Sequence, residues 1–281
     1  MGRNRKWWIC IHEATTKKIM RLYCVFGDPI LHSKSPLLHN YVFYKLKIDA
    51  RYIRFNLKNK EDFKNTFFDL NLEGANITLP LKEELFGICD EIRGEALNIK
   101  SINTIIKEKN KLIGLNTDSI GFYKSIENYN IKNAILIGAG GSSKAIAIAL
   151  KQNKISTIII NRSQKNIDFF TKNGFRFHYE NLESLKKERF DLVVNSTSAS
   201  IKNELPLKEN ILIDLFKNAK IAYEIMYGLD SRFIQIAKKS NVKTIDGRSM
   251  LINQAIESSS LFLNLPSNKI APHMQKIAHL I

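Results

Sequence analysis

Residues 135–163 read ILIGAGGSSKAIAIALKQNKISTIIINRS. The apolar run at 135–137 stops at clustered glycines, which is typical of a buried strand that enters a tight turn, and residues 142–152 follow with the pattern of a helix. A second apolar run at 157–160 closes a parallel β-α-β unit of the usual length. This stretch therefore predicts an α/β fold whose central turn is built from glycine.

The glycine turn Gly138-Ala139-Gly140-Gly141 lies where the predicted helix begins. A helix N-terminus offers unpaired amides and the positive end of the helix dipole, and glycines let a diphosphate approach both. Glycine clusters also occur in ordinary loops, but here strand, turn, helix and second strand follow in the order of a dinucleotide site. The phosphate-binding loop of nucleoside triphosphatases does not fit, because Ser143 precedes Lys144 where that motif requires glycine.

The second strand of this unit ends in Asn161-Arg162-Ser163. A site for NAD usually carries an acidic residue here, which binds the ribose 2′-hydroxyl and would repel a 2′-phosphate. Arg162 instead offers a planar guanidinium that pairs with phosphate oxygens. We therefore predict that the cofactor is NADP(H).

The chain has 281 residues, of which 44% are hydrophobic, and a formal net charge of +16. This length allows two domains, and the first half is expected to supply the second of them, since the glycine turn begins near the middle. The charge suits anionic small molecules, because the lysines are scattered and no nucleic-acid-binding motif is present. We expect a small-molecule substrate, no nucleic acid, no membrane, and a monomer or homodimer.

The three cysteines are isolated, and no His or Cys pair has the spacing of a zinc site. This pattern favours a reducing compartment, so we expect a cytoplasmic protein without a bound metal. Residues 1–19 are basic, and their apolar segment is too short for a secretory signal. They are predicted to form a dispensable N-terminal extension.

Strand and helix patterns alternate along the rest of the chain, as in α/β proteins. The predicted strands are residues 22–26, 52–55, 74–79, 101–107, 111–114, 190–195 and 221–225. The predicted helices, besides 142–152, are residues 36–44, 60–69, 82–86, 119–127 and a terminal helix at 250–263. The strands at 101–107 and 111–114 are expected to form an antiparallel hairpin.

We predict two domains around an interdomain cleft. Residues 20–118 and 249–281 would form a substrate-binding and catalytic domain with a mixed sheet. Residues 119–248 would form a Rossmann-type NADP-binding domain.

Several polar residues follow predicted strands, where ligand sites form in open α/β sheets. Ser33 and Ser35 lie at a predicted helix N-terminus, where hydroxyls and unpaired amides suit a carboxylate. Alternatively, Ser35 only caps this helix, with Pro36 at its first position. Pro80 ends another strand and places Lys82 at the start of a short helix.

Lys82 is one of many lysines, most of which are expected on the surface. It becomes a catalytic candidate through Asn103, near the start of the predicted strand at 101–107, and Asp118, at the crossing between the two predicted domains. A carboxylate beside an ammonium orients it and holds it charged, so that it can protonate a carbonyl oxygen during hydride addition. Asp118 could also cap the helix that starts at Ser119.

Together these motifs resemble the shikimate dehydrogenase family, over most of residues 20–263. The segments that carry the resemblance are GDPI at 27–30, SKSP at 33–36, NITLPLK at 76–82, the glycine turn and the Asn-Arg-Ser element. The resemblance implies that Lys82 is the catalytic lysine, paired with Asp118. It also implies that the substrate contacts are Ser33, Ser35, Thr78, Asn103, Asp118, Tyr227 and Gln254. The implied cofactor site comprises Gly138, Ala139, Gly140, Gly141, Asn161, Arg162, Ser163 and Gly247.

Some residues depart from the family pattern. Ser119, Lys144 and Glu224 replace its usual glycine, arginine and aspartate, and Ser249 replaces a glycine beside the nicotinamide. Lys165 stands one place from the expected second basic residue for the 2′-phosphate, so the preference for NADP is expected to depend mainly on Arg162.

The resemblance implies a reversible, NADP-dependent reduction of 3-dehydroshikimate to shikimate, in the pathway to chorismate and the aromatic amino acids. The first alternative is a quinate/shikimate dehydrogenase with relaxed use of substrate or NAD. The others are a relative that acts on another cyclic hydroxy acid, and a non-catalytic protein that binds NADP or nucleic acid.

Overall fold

The computed structural model describes residues 20–179, 182, 185 and 188–281. Within them the chain forms two six-stranded sheets with helices packed on them, which confirms the α/β fold class. The predicted extension at 1–19 lies outside the described residues. In the part of the chain that is described, no helix combines the length and the apolar character needed to cross a bilayer.

The first sheet is mixed, as predicted. Its strands are β1 Arg21–Gly27, β2 Ala50–Asn56, β3 Leu72–Ile77, β4 Glu91–Ile92, β5 Thr104–Glu108 and β6 Lys111–Leu115. They lie in the order β2-β1-β3-β5-β6-β4, and β5 pairs antiparallel with both β3 and β6. The hairpin of β5 and β6 is therefore confirmed. The helices that precede the second sheet in the chain are α1 Ser35–Lys45, α2 Phe63–Asp69, α3 Leu81–Glu84, α4 Ala96–Ile99 and α5 Asp118–Ile126.

The second sheet is parallel at every pair of neighbouring strands. Its strands are β7 Asn133–Ile137, β8 Ser156–Ile160, β9 Arg176–His178, β10 Phe190–Asn195, β11 Ala219–Glu224 and β12 Lys243–Asp246. The order β12-β11-β10-β7-β8-β9 is that of a doubly wound, Rossmann-type sheet. From β7 the chain adds β8 and β9 on one side, and it then returns to add β10 on the other side of β7. Ligands bind at this crossing point in such folds. The helices that follow are α6 Gly141–Gln152, α7 Ile167–Lys172, α8 Glu209–Lys217, α9 Arg232–Lys239, α10 Arg248–Leu263 and α11 Ser267–Lys276.

The strand β7 is apolar on both faces because helices cover both sides of the second sheet. Ala134 and Leu136 pack in the core on one side, and Ile135 and Ile137 pack in the core on the other. A continuous apolar run is the usual pattern of a central parallel strand. The helix α10 then returns to the first half of the molecule, where it packs against α5 and contacts β3 and β5.

The alternative in which Ser35 and Asp118 cap their helices is wrong. Lys34, not Ser35, is the N-cap of α1, and Thr117, not Asp118, is the N-cap of α5. Ser35 and Asp118 are instead the first residues of their helices, and both line the cleft between the sheets.

The helix predicted at 250–263 is present but does not end the chain. A further helix, α11, follows it and packs on α1 and α10. Its polar residues and the internal Pro272 conceal it in the sequence, because proline usually ends a helix. Pro272 is accommodated here in a helix whose apolar side chains Ile270 and Met274 are fully buried.

Candidate active site

A cleft of about 440 Å³ lies between the two halves of the molecule. Its walls are formed by residues that follow β1 and β3 in the first sheet and β7, β10 and β11 in the second. The sequence-predicted residues in its lining are Ser33, Ser35, Thr78, Lys82, Asn103, Asp118, Gly140, Gly141, Tyr227, Gly247 and Gln254. The structure therefore brings together residues that are more than two hundred positions apart in the sequence.

Lys82 and Asp118 form an ion pair at the centre of the cleft. The Lys82 Nζ donates a hydrogen bond to Asp118 Oδ2 at 2.5 Å and another to Ser142 Oγ at 3.1 Å. The side chains are only 15% and 6% exposed, so solvent screens the pair weakly. Since Ser142 lies in the first turn of α6, the ammonium is held beside the glycine turn.

Asn103 donates a hydrogen bond to the other oxygen of the Asp118 carboxylate. Its Nδ2 donates to Asp118 Oδ1 at 2.8 Å, while its Oδ1 accepts the backbone N–H of Thr117 at 2.8 Å. Gln254 Oε1 lies 3.4 Å from the same Nδ2, so a side chain of α10 also belongs to this polar group. Asp118 is thus fixed by a lysine on one side and an amide on the other.

The loop before α1 forms another wall and is tied to the second half of the molecule. The backbone N–H of Lys34 donates to Tyr227 Oη at 3.3 Å, and Arg54 donates twice to the carbonyl oxygen of Ser33. Burial raises the pKa of Tyr227, which therefore remains a neutral phenol that can donate a hydrogen bond. Ser33 and Ser35 are almost buried beside it, as a carboxylate site requires.

The glycine turn has the form that a diphosphate needs. Gly138 has a φ of +120°, and a Cβ there would lie 2.8 Å from Ser196 Oγ and 3.0 Å from Ser143 Oγ. At Gly140, by contrast, a Cβ would meet nothing within 4 Å, so this side of the turn is open to a ligand. Together with the unpaired amides at the start of α6, these features fit the diphosphate of a dinucleotide.

The Asn-Arg-Ser element lies at the end of β8, outside the lining of the cleft. Asn161 Nδ2 donates to the carbonyl oxygen of Ser163 at 3.0 Å, and Arg162 is exposed. Lys165, which also follows β8, does line the cleft. Two basic residues, Arg162 and Lys165, therefore follow β8, and the sequence emphasised only Arg162.

Gly247 and Ser249 were both expected near the cofactor, but only Gly247 lines the cleft. At Gly247, a Cβ would overlap the backbone of Ile225, so only glycine fits there. Ser249 is exposed, and the cleft is lined instead by Gly247 and Met250. The replacement of the family's glycine by Ser249 therefore does not narrow the cleft.

Sequence reasoning missed several residues of the cleft. Ser196, Thr197 and Ser198 line it directly after β10. Their signal was available, since they form a polar run at the end of a predicted strand. Met226 also lines the cleft, but it carried no such signal.

The buried carboxyl of Glu224 organises two of the loops that reach the cleft. Its Oε2 accepts hydrogen bonds from Asn195, Ser200 and Ser231, and its Oε1 accepts the backbone N–H of Met226. Burial raises the pKa of this carboxyl, although its four donors act in the opposite direction. Glu224 thereby joins the polar run after β10 to the loop that carries Tyr227.

Family models match both halves of the chain. The model of the shikimate dehydrogenase substrate-binding domain matches residues 25–105. The model described as shikimate / quinate 5-dehydrogenase matches residues 123–211. The first match includes the end of β1 and the whole of β2, β3 and β4, and the second includes the glycine turn.

Individual relatives agree with these models. The shikimate dehydrogenase (NADP(+)) of Helicobacter hepaticus is 44% identical over 262 residues, which are 92% of this chain and 97% of the relative. Among solved structures, shikimate dehydrogenase 1 of Peptoclostridium difficile has a TM-score of 0.80 at 28% identity, covering 93% of this chain and 98% of that one. The Thermus thermophilus enzyme, solved in complex with NADP(H) and shikimate, has a TM-score of 0.78 at 26% identity, with 92% and 99% covered. The chain therefore belongs to the shikimate dehydrogenase family.

Proposed function

We propose that this protein catalyses the reversible, NADP-dependent reduction of 3-dehydroshikimate to shikimate, a step toward chorismate and the aromatic amino acids. The observation that carries the proposal is the ion pair of Lys82 and Asp118 beside Ser142. It provides a proton donor next to the helix terminus that suits the cofactor diphosphate. The names of the relatives supply the substrate and the cofactor.

The proposed reaction divides between a hydride and a proton. When bound, NADPH supplies a hydride to the ketone carbon of the substrate. Lys82 Nζ donates a proton to the ketone oxygen, which gains negative charge as the hydride arrives. Asp118 holds the ammonium in place and stabilises its charge. In the reverse direction the neutral amine of Lys82 accepts the proton of the hydroxyl group.

Other residues of the cleft would hold the two ligands. We assign the substrate carboxylate to Ser33 and Ser35, whose hydroxyls lie at the start of α1. We assign the ring hydroxyls and the ketone to Thr78, Asn103, Asp118, Tyr227 and Gln254. The cofactor diphosphate would lie on residues 138–141, the 2′-phosphate near Asn161, Arg162 and Ser163, and the nicotinamide near Gly247.

The decisive experiment is a spectrophotometric assay of NADP⁺ reduction by shikimate. The same assay with NAD⁺ and with quinate tests the second candidate, a quinate/shikimate dehydrogenase. That candidate is favoured by the description of the second family model, and the shape of a pocket alone discriminates weakly against one extra hydroxyl on the ring. No turnover of shikimate with either cofactor would contradict the proposal, whereas comparable kcat/KM values for both acids would support the broader enzyme.

We also propose the domain division predicted from the sequence, in which residues 20–118 and 249–281 form the substrate domain and residues 119–248 the NADP-binding domain. The two separate sheets and the return of α10 to the first half support this division. We further propose a cytoplasmic monomer or homodimer. Light scattering of the purified protein would distinguish these two states, and a larger assembly would contradict both.

A further inference from the structure

A buried hydroxyl on α10 lies at the centre of a polar cluster behind the cleft. The Ser258 side chain is fully buried, and its Oγ donates to the carbonyl oxygen of Gln254 at 2.9 Å. The same Oγ accepts from Asn76 Nδ2 at 2.9 Å and lies 3.2 Å from Thr117 Oγ1 and 3.1 Å from Thr104 Oγ1. Ser258 does not belong to the lining of the cleft.

The threonines of this cluster determine how the amide of Asn103 is turned. Thr104 Oγ1 donates to Asn103 Oδ1 at 2.9 Å, and the Thr117 N–H donates to the same oxygen. The Nδ2 group is therefore directed to Thr117 Oγ1 at 3.0 Å and to Asp118 Oδ1 at 2.8 Å. The opposite orientation of the amide would bring its oxygen against the carboxylate.

The direction of each hydrogen bond in the cluster can be assigned by counting the hydroxyl and amide protons and the oxygen atoms that accept them. Ser258 uses its one proton on the Gln254 carbonyl, so it can accept two others, from Asn76 and from the Thr117 hydroxyl. Thr117 Oγ1 also lies 3.2 Å from Asn103 Oδ1, but that oxygen already accepts from the Thr104 hydroxyl and from the Thr117 N–H. We therefore assign the Thr117 proton to Ser258, and the Thr117 oxygen accepts from Asn103. The arrangement that satisfies every group is therefore the one in which Asn103 donates to Asp118.

We propose that Ser258 is a positioning residue for the reaction. It holds the Thr117 hydroxyl, and through it the Asn103 amide, so that Asn103 donates to Asp118 and keeps the carboxylate aligned with Lys82. This inference rests on the proposed function, in which Lys82 and Asp118 act on the substrate. Ser258 itself touches neither ligand and acts through three hydrogen bonds.

The test compares Ser258→Ala with Ser259→Ala. Ser259 is the next residue of α10 and is equally buried, but its hydroxyl is bonded to His39 Nδ1 at 2.7 Å. We expect Ser258→Ala to lower kcat/KM for shikimate about tenfold, with a higher KM for shikimate and a lower kcat, as the loss of one aligned hydrogen bond predicts. The KM for NADP⁺ should stay unchanged, and Ser259→Ala should behave as wild type.

A second pair of variants covers the case in which Ser258→Ala does not fold. Thr104→Val removes the hydroxyl that donates to Asn103, and Thr104→Ser retains it in a smaller side chain. We expect the valine variant to show the same rise in the KM for shikimate and the serine variant to restore most of the activity. A merely structural role would lower the active fraction without changing either KM.

The possible results separate this inference from the proposed function. If the wild-type protein does not oxidise shikimate, the proposed function is wrong and the inference falls with it. If the wild type is active but Ser258→Ala and Thr104→Val keep its KM for shikimate and its kcat, the proposed function stands and the positioning role is overturned.

Discussion

Lys82 is set apart from the other lysines of this basic chain by its two partners, Asp118 and Ser142. We predict that Lys82→Ala lowers kcat about 100-fold or more, because a positioned general acid contributes about that factor. Binding of NADPH should be nearly unchanged, since the glycine turn remains intact. The measurements are steady-state kinetics with shikimate and a fluorescence titration with NADPH.

Lys58→Ala provides the control for this variant, since Lys58 is exposed. It removes the same charge and should keep the activity of the wild type. Unchanged turnover in Lys82→Ala would remove Lys82 from the mechanism. Loss of NADPH binding would instead assign Lys82 to the cofactor site through its contact with Ser142.

His39 is a second residue with a measurable effect, in this case on stability. It is fully buried, stacked on Tyr52 at 4.2 Å between ring centroids, and burial lowers its pKa from 6.5 to about 3. In the unfolded chain His39 therefore binds a proton below about pH 6.5, whereas in the folded protein it binds one only below about pH 3. Stability from this group is complete above pH 6.5 and is lost as the pH falls toward 3.

We predict that lowering the pH from 7.5 to 5 costs wild type about 2 kcal/mol through His39, from the linkage between protonation and folding. His39→Gln should remove this part of the pH dependence, although the variant is less stable overall. The measurement is the free energy of unfolding from urea titrations at both pH values. His279→Gln, at an exposed histidine, should keep the slope of the wild type, and an equal slope in all three proteins would contradict the prediction.

At the scale of elements, the units with strong local patterns could be predicted from the sequence. The strand β7, the glycine turn and α6 were predicted within two residues of their observed bounds, because burial on both faces leaves a continuous apolar run. The short helices α8 and α9 were missed, and α11 was concealed by Pro272. The sequence did carry a signal for α8 and α9, since both are amphipathic and Ser231 caps α9, whereas α11 contains a proline that argues against a helix.

The candidate site was predictable where each residue follows a strand, as Lys82 and Asp118 do. The residues that align them were not, because they are joined only by the fold. Ser258 contacts Asn76 across 182 positions and Thr104 across 154. A serine inside an apolar helix gives no local indication that its hydroxyl will meet these partners.

The loops after β10 and β11 depend on one buried side chain, Glu224. Three donors reach its Oε2, and the backbone N–H of Met226 reaches its Oε1. We predict that Glu224→Gln lowers the free energy of unfolding by about 1–3 kcal/mol, because an amide nitrogen would replace one of these acceptors and face a donor. The displaced loop carries Tyr227, so the KM for shikimate should rise several-fold.

Chemical denaturation and steady-state kinetics would measure the two effects of Glu224→Gln. Glu209→Gln makes the same change at an exposed glutamate and should leave both quantities near the wild-type values. A stable variant with an unchanged KM would mean that the Tyr227 loop does not require the carboxylate. Loss of stability without a change in KM would restrict Glu224 to a structural role.

At the scale of the whole molecule, the two halves are bridged at several points around the cleft. Glu83 follows Lys82 on α3, and its Oε1 lies 3.2 Å from Lys144 Nζ on α6. Asn166 Nδ2, which also donates to the carbonyl oxygen of Ala139 in the glycine turn, lies 3.5 Å from the same oxygen. The Lys144 side chain is only 8% exposed, so this pair is partly protected from screening.

We predict that Glu83→Gln weakens the contact between the two halves of the molecule at the cleft. A partly exposed ion pair contributes about 1 kcal/mol, so the dissociation constant for NADP⁺ should rise about fivefold if this contact favours the arrangement that binds the cofactor. Small-angle scattering without ligands should give a larger radius of gyration for the variant than for wild type. Saturation with NADP⁺ and shikimate should remove this difference, because the ligands bridge the same two halves.

Glu61→Gln makes the same charge change at an exposed glutamate of the first half and should alter neither quantity. An equal dissociation constant for NADP⁺ and an equal radius of gyration in Glu83→Gln and wild type would mean that the pair with Lys144 does not help to hold the two halves together.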